Sequence, residues 1–247
     1  MRKRQIKQMI SNLNDCRHQI FLKFCYFILF CLLLSCGSDA AKKDLDKPLN
    51  NIENKVVTPN KTSTKTILCF GDSLTAGYGL DDINDAYPAL LQTMIDSLGL
   101  DYTVINSGLS GETTAGGRSR IQWVLNQKID VFILELGAND GLRGVPLTET
   151  RENLQAIIDE VRKKNPKTKI ILAGMQLPPN MGPDYISQFR TIFPDLAKKN
   201  NVELIPFILK NVGGIEALPP AAGIHPTEKG QTINASTVWE VLEPLIQ

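Results

Sequence analysis

The chain has 247 residues, 43% of them apolar and 21% charged, and a formal net charge of +1. That length and composition allow a sizeable core and exclude a fibrous or wholly disordered chain. The charge is nearly balanced overall but unevenly placed along the sequence.

Residues 1–23 carry Arg2, Lys3, Arg4, Lys7, Arg17 and Lys23 against a single acid, Asp15. The apolar run Phe24 to Leu34, "FCYFILFCLLL", follows, and then Ser35 and Cys36. A basic start, a short apolar run and a small residue before a cut site read as an export signal over residues 1–35. The run falls short of the roughly 20 apolar residues that cross a bilayer. A signal anchor is the alternative, and the long basic region makes Met9 an alternative start. "LLSC" at Leu33–Cys36 resembles a bacterial lipobox, in which the Cys receives lipid and becomes the new N-terminus. The other reading is a cysteine that ends an ordinary signal peptide. Gly37 rather than Asp follows Cys36. Under the sorting rule of the Gram-negative lipoproteins it resembles, that favours the outer membrane. The expected product is exported to the cell envelope and held to a membrane through Cys36.

Removing residues 1–35 leaves 21 basic and 25 acidic residues, a net of −4. Such a chain has no electrostatic footprint for nucleic acid. Cys16, Cys25 and Cys31 leave with the signal and Cys36 is the lipidation candidate, so Cys69 remains alone in an apolar run. It reads as a buried thiol with no disulfide partner. No Cys/His pattern suggests a metal. Residues 36–65 are polar and rich in Lys, Asn, Asp and Thr, and read as a tether.

From Thr66 to Gln247 the pattern is that of one folded domain. "TILCFG" is a short apolar run that predicts a buried strand. "AYPALLQTMIDSL" has helical spacing, with Pro88 near its start where proline is tolerated. "YTVIN" predicts a strand, "RSRIQWVLNQ" a helix and "VFILEL" a continuous apolar strand. "LTETRENLQAIIDEVRKK" predicts an amphipathic helix with a Thr cap. "KIILAG" is a strand. Residues 184–200 are helical, with Pro194 expected to kink or divide them. "VELIPF" is the fifth strand, and "TEKGQTINASTVWEVLEPLI" the closing helix. Strands alternating with helices, and apolar throughout, predict an α/β domain of three layers, α/β/α, with a five-stranded parallel sheet. Ligands of such sheets bind beyond the carboxyl ends of the strands.

Three polar clusters follow strand ends: Gly71-Asp72-Ser73-Leu74, the stretch Ser107 to Gly117, and Gly137-Ala138-Asn139-Asp140. A fourth, around His225, precedes the last helix. Each has a plain structural reading. Asp72 or Ser73 can cap a helix, "AND" before Gly141 is good turn chemistry, and a lone His is more often structural. The glycine-rich stretch lacks the Lys-Ser/Thr ending of a P-loop. Together, however, a hydroxyl, an imidazole, an amide and flexible backbone at one sheet edge are the parts of an acyl-transfer site. A serine hydroxyl needs a base within hydrogen-bond reach, and a tetrahedral oxyanion needs fixed donors.

"GDSLTAGYGL", "SGLSGETT", "ELGANDGLRG" and "GIHP" resemble the four blocks of the SGNH (GDSL) hydrolase family, over about residues 66–247. The likeness extends to its periplasmic multifunctional esterase, thioesterase and lysophospholipase branch and to related arylesterases, and "LPPNMGPDY" resembles that branch as well. The G-x-S-x-G elbow of the α/β-hydrolases is absent, because Thr75 stands where its second Gly belongs. The resemblance implies an SGNH-hydrolase, flavodoxin-like fold and cleavage of carboxylic esters or thioesters through an acyl-serine. It implies Ser73 as nucleophile and His225 as general base. The N–H groups of Ser73 and Gly111 and the Asn139 side chain would form the oxyanion hole. Leu109, Met175–Pro179 and the loop before His225 would shape the acyl pocket. A carbohydrate O-acetyl esterase is the alternative within the family.

The family's last block carries Asp three residues before the His, and here that position is Ala222. Three readings stay open. A Ser-His dyad works with a backbone carbonyl orienting the imidazole. Or another acid substitutes, Glu216 and Glu228 being nearest in sequence. Or the protein binds acyl or glycan ligands without turnover.

Overall fold

The run Val131–Glu135 is buried at every position and forms β3, the middle strand of a five-stranded sheet. The computed structural model describes residues 65–212 and 225–247. The expected signal peptide, Cys36, nearly all of the tether, and Glu216 and Ala222 lie outside those residues. The described residues fall within a unit that spans Pro59–Gln247.

The strands are β1 (Lys65–Gly71), β2 (Tyr102–Gly108), β3, β4 (Lys169–Ala173) and β5 (Glu203–Ile205). Their order is β2-β1-β3-β4-β5, and every pair is parallel. This doubly wound order has its reversal between β1 and β3, where a crevice opens past the strand ends. The helices are α1 (Ser73–Ala76), α2 (Tyr87–Ser97), α3 (Thr114–Val124), α4 (Ala138–Leu142), α5 (Leu147–Lys164), α6 (Pro183–Asn200) and α7 (Glu228–Ile246). α2 packs with α7, while α3 packs on α5 and α5 on α6, which gives a helical layer on each side of the sheet. The core includes Phe70 against Phe132, ring centroids 5.6 Å apart, and Phe189 against Phe193 at 5.5 Å. Each such fully buried side chain contributes roughly 1.5–3 kcal/mol through removal from water. Cys69 is buried and free as expected, and burial pushes its thiol up to about 12.

Several boundaries differ from the sequence expectation. β1 begins at Lys65, the last residue assigned to the tether. α3 starts at Thr114, inside the glycine-rich stretch, because the Thr113 hydroxyl caps it by accepting the Gly116 N–H at 3.3 Å. β5 stops at Ile205, since Pro206 has no N–H to continue the ladder. α6 runs unbroken through Pro194. Pro194 and Arg190, the residue whose carbonyl loses its helical donor, both lie on the exposed side where water can serve. β2 is an edge strand and only half buried, not apolar throughout. Among the described residues no helix is long and apolar enough to cross a membrane.

Candidate active site

The parallel register sets Gly71 of β1 beside Gly108 of β2 and Glu135 of β3, so the three strands end at one level. The chain leaves those ends as Asp72-Ser73, as Leu109 to Thr113, and as Leu136 to Asn139. Three of the sequence clusters therefore meet at one edge.

Ser73 opens α1. The buried Asp72 caps that short helix, accepting the Leu74 N–H at 3.0 Å, and Gly77 ends it in the left-handed region at φ 76°. Gly108 has to be glycine because a Cβ there would lie 2.2 Å from the Ala76 nitrogen. β2 and the helix that carries Ser73 thus touch backbone to backbone.

His225 lies two residues before Thr227, the cap of α7. Its Nε2 is 2.9 Å from Ser73 Oγ across 152 residues of sequence. An imidazole nitrogen at that distance can draw a proton from a hydroxyl once the ring proton sits on Nδ1.

Asn139 is the second residue of α4. Its Nδ2 donates to Asp72 Oδ2 and to the Glu112 carbonyl, each at 3.0 Å. An amide nitrogen has two hydrogens, so both are engaged in the free protein, and an incoming oxyanion would take one of them. Gly137 before it adopts φ 119°, and a Cβ there would meet the Phe193 ring at 3.2 Å. Gly111, at φ 78°, lines the same cavity, and its carbonyl accepts from Arg143 Nη2 at 3.0 Å.

The cavity at this edge measures about 380 Å³. Ser73, His225 and Asn139 line it together with Leu142, Met175 and Leu177. Gln176 and Pro178 from the expected Met175–Pro179 stretch also reach it, whereas Pro179 opens a 3-10 turn instead. Leu109 is not a lining residue, contrary to expectation. Its N–H is taken by the Gly71 carbonyl at 2.9 Å, and its side chain is exposed. Glu228 is exposed in the first turn of α7.

Other contacts of the site have no local sign in the sequence. Arg120 grips Glu112 with Nε at 2.6 Å and Nη2 at 2.5 Å, and also bonds the Ser107 hydroxyl and carbonyl. That clamp fixes the loop bearing Gly111 to α3. Asp140 accepts the Thr114 N–H at 2.8 Å and the Thr114 hydroxyl, which joins α4 to α3. Beneath Ser73, Glu135 Oε2 accepts the Asp72 N–H at 3.2 Å and the Thr75 hydroxyl at 2.8 Å. Burial raises the Glu135 carboxyl well above its ordinary range, and the Asp72 charge adds to that. Burial likewise pushes Asp72 up to about 6, against the lowering effect of its bonds from Leu74 and Asn139. Only the pairing of strands brings these two carboxyls together, and no local motif announces it.

Residues 69–233, more than half the chain, match the GDSL-like lipase/acylhydrolase family. The chain belongs to that family. Esterase TesA of Pseudomonas aeruginosa is 38% identical over 192 residues, covering 77% of this chain and 94% of the relative. Thioesterase 1/protease 1/lysophospholipase L1 of Escherichia coli K12 is 34% identical over 192 residues, covering 77% and 89%. A crystal structure of TesA superposes with a TM-score of 0.69 at 39% identity, covering 73% of this chain and 99% of that one. The chain is thus a GDSL-family hydrolase acting on ester bonds, with the five-stranded α/β fold of SGNH hydrolases.

Proposed function

We propose that this GDSL-family hydrolase cleaves carboxylic esters and thioesters through an acyl-serine, with Ser73 as nucleophile and His225 as base. The 2.9 Å contact between His225 Nε2 and Ser73 Oγ, at the mouth of an apolar cavity, carries the reading. His225 takes the Ser73 proton as Oγ attacks the substrate carbonyl. The oxyanion is received by the N–H groups of Ser73 and Gly111 and by Asn139 Nδ2, which gives up one ground-state bond. Each such donor is worth roughly 3–4 kcal/mol to the transition state. The imidazolium then protonates the leaving group, and water, activated by the same imidazole, frees the acyl chain. No step in this scheme calls on a metal or organic cofactor.

Substrate class follows from the cavity wall. Leu142, Met175 and Leu177 offer an apolar surface beside Ser73 and suit an acyl chain. Esterase, thioesterase and lysophospholipase are the names its relatives carry.

The envelope location belongs to the same proposal. The basic start, the run Phe24 to Leu34 and Cys36 support a lipid anchor, with residues 37–65 as the tether of a domain over 66–247. A fluorophosphonate probe tests the nucleophile, and peptide mapping should find the adduct on Ser73. Labelled fatty acid tests the anchor, and should enter the wild-type chain in a bacterial host but not the Cys36→Ala variant. An unlabelled Ser73, or fatty acid retained by Cys36→Ala, would contradict the corresponding part.

A further inference from the structure

His225 is in contact with more than Ser73. The phenol ring of Tyr78 lies against its imidazole, centroids 4.9 Å apart and planes tilted by 52°. Tyr78 is 58% exposed and lines the same cavity as Ser73 and His225. The backbone holds it there. Gly77 and Gly79 on either side adopt φ 76° and 88°, and the Tyr78 N–H donates to the Ser73 carbonyl at 3.0 Å. The ring is therefore tied to the same residue whose hydroxyl the imidazole faces.

The charge balance of the reaction gives this contact a purpose. When Ser73 gives its proton to His225, an imidazolium forms. In this chain the residue three places earlier is Ala222, whose side chain can neither accept from the ring nor offset its charge. An aromatic face within about 6 Å attracts a cation through its quadrupole. Among the described titratable groups nearby, Asp72 aims its two oxygens at the Leu74 N–H and at Asn139, and Glu228 is exposed in the first turn of α7.

We propose that Tyr78 is a positioning residue for His225: its ring sets the tilt of the imidazole and supports the positive charge where this chain has Ala222 in place of an acid. The inference rests on the reading of His225 as the base of a serine hydrolase.

The test is the pH dependence of p-nitrophenyl acetate hydrolysis by the full chain in detergent. Wild type is compared with Tyr78→Leu, Tyr78→Phe and Glu228→Gln. Tyr78 lines the cavity, so KM is followed separately from kcat to tell lost binding from lost positioning. In Tyr78→Leu, kcat should fall roughly three- to thirtyfold with KM little changed. The acidic limb of the profile should move to lower pH, because an imidazolium with less support gives up its proton more readily. Tyr78→Phe, which keeps the ring, should recover most of the loss.

Equal rates and an unmoved limb in Tyr78→Leu would overturn the role of Tyr78 and leave the hydrolase reading standing. A limb moved by Glu228→Gln but not by Tyr78→Leu would assign the role to Glu228. Failure of a fluorophosphonate to label Ser73 in the wild type would overturn the hydrolase reading, and this inference with it.

Discussion

Asn139 Nδ2 donates to Asp72 Oδ2 at 3.0 Å, which ties the residue before Ser73 to the amide beside the cavity. The other Asp72 oxygen accepts the Leu74 N–H. One carboxyl group thus caps the helix of Ser73 and holds Asn139 in place. In Asp72→Asn only one oxygen remains, and the new amide would present a donor to a donor. An unsatisfied pair of this kind costs about 1–3 kcal/mol. We expect kcat to fall about tenfold in Asp72→Asn, measured with p-nitrophenyl acetate. A wild-type kcat would show that Asn139 is held by Glu112 alone.

The same carboxyl makes stability depend on pH. Its folded pKa of about 6 lies above the roughly 3.9 of an unfolded aspartate. The folded chain therefore binds the extra proton between those values. This contribution is fully present below the unfolded value and is lost as pH rises through about 6. The urea midpoint of the wild type should fall between pH 4 and 7 by more than that of Asp72→Asn. Identical slopes would contradict a titration that Asp72 shares with its buried neighbour Glu135, whose carboxyl is raised as well.

Gly108 sets how closely β2 approaches the helix of Ser73. Gly108→Ala would place a Cβ 2.2 Å from the Ala76 nitrogen and 2.6 Å from its Cα, both rigid backbone atoms. Overpacking against backbone costs typically 1–3 kcal/mol or more. We expect a destabilisation of about 3 kcal/mol by urea unfolding, and an activity loss in whatever protein remains folded. A near-native midpoint would mean that α1 moves aside easily.

Much of this arrangement was legible before the structure. The runs at Ile67–Phe70 and Val131–Leu134 are apolar without alternation, and a strand covered on both faces needs that pattern. Ser73, Asn139 and His225 stood out because each combines reactive chemistry with a turn. What stayed hidden depended on partners far away in sequence. Glu135 ends an apolar strand and gives no local sign that register sets it under Asp72. Gly116 and Gly117 read as loop, yet both are helical. Gly117 is glycine for packing, since a Cβ there would lie 2.4 Å from Leu136 Cδ1. Tyr78 sits in a short exposed loop with no periodicity, and only the three-dimensional return of His225 gives it a partner.

Restoring an acid at position 222 should help the reaction. In serine proteases, loss of the triad acid lowers kcat by about 10⁴. If Tyr78 supplies part of that function, Ala222→Asp should raise kcat at least tenfold and make Tyr78→Leu less harmful. The two substitutions act on one imidazole and should not be additive. Additive effects in the double variant would mean that they act on different groups.

Acyl preference should follow Met175, which lines the cavity and is itself buried. Met175→Trp would fill part of the roughly 380 Å³. The ratio of octanoate to acetate hydrolysis should fall by about tenfold or more, with acetate turnover largely kept. A parallel loss on both esters would place the acyl chain elsewhere.

The most direct test is p-nitrophenyl acetate hydrolysis by the full chain in detergent, wild type beside Ser73→Ala and His225→Ala. The 2.9 Å pair predicts turnover in the wild type and background rates in both variants, with folding intact by circular dichroism. Turnover in Ser73→Ala equal to the wild type, or none in the wild type, would contradict a Ser73–His225 dyad as the working site.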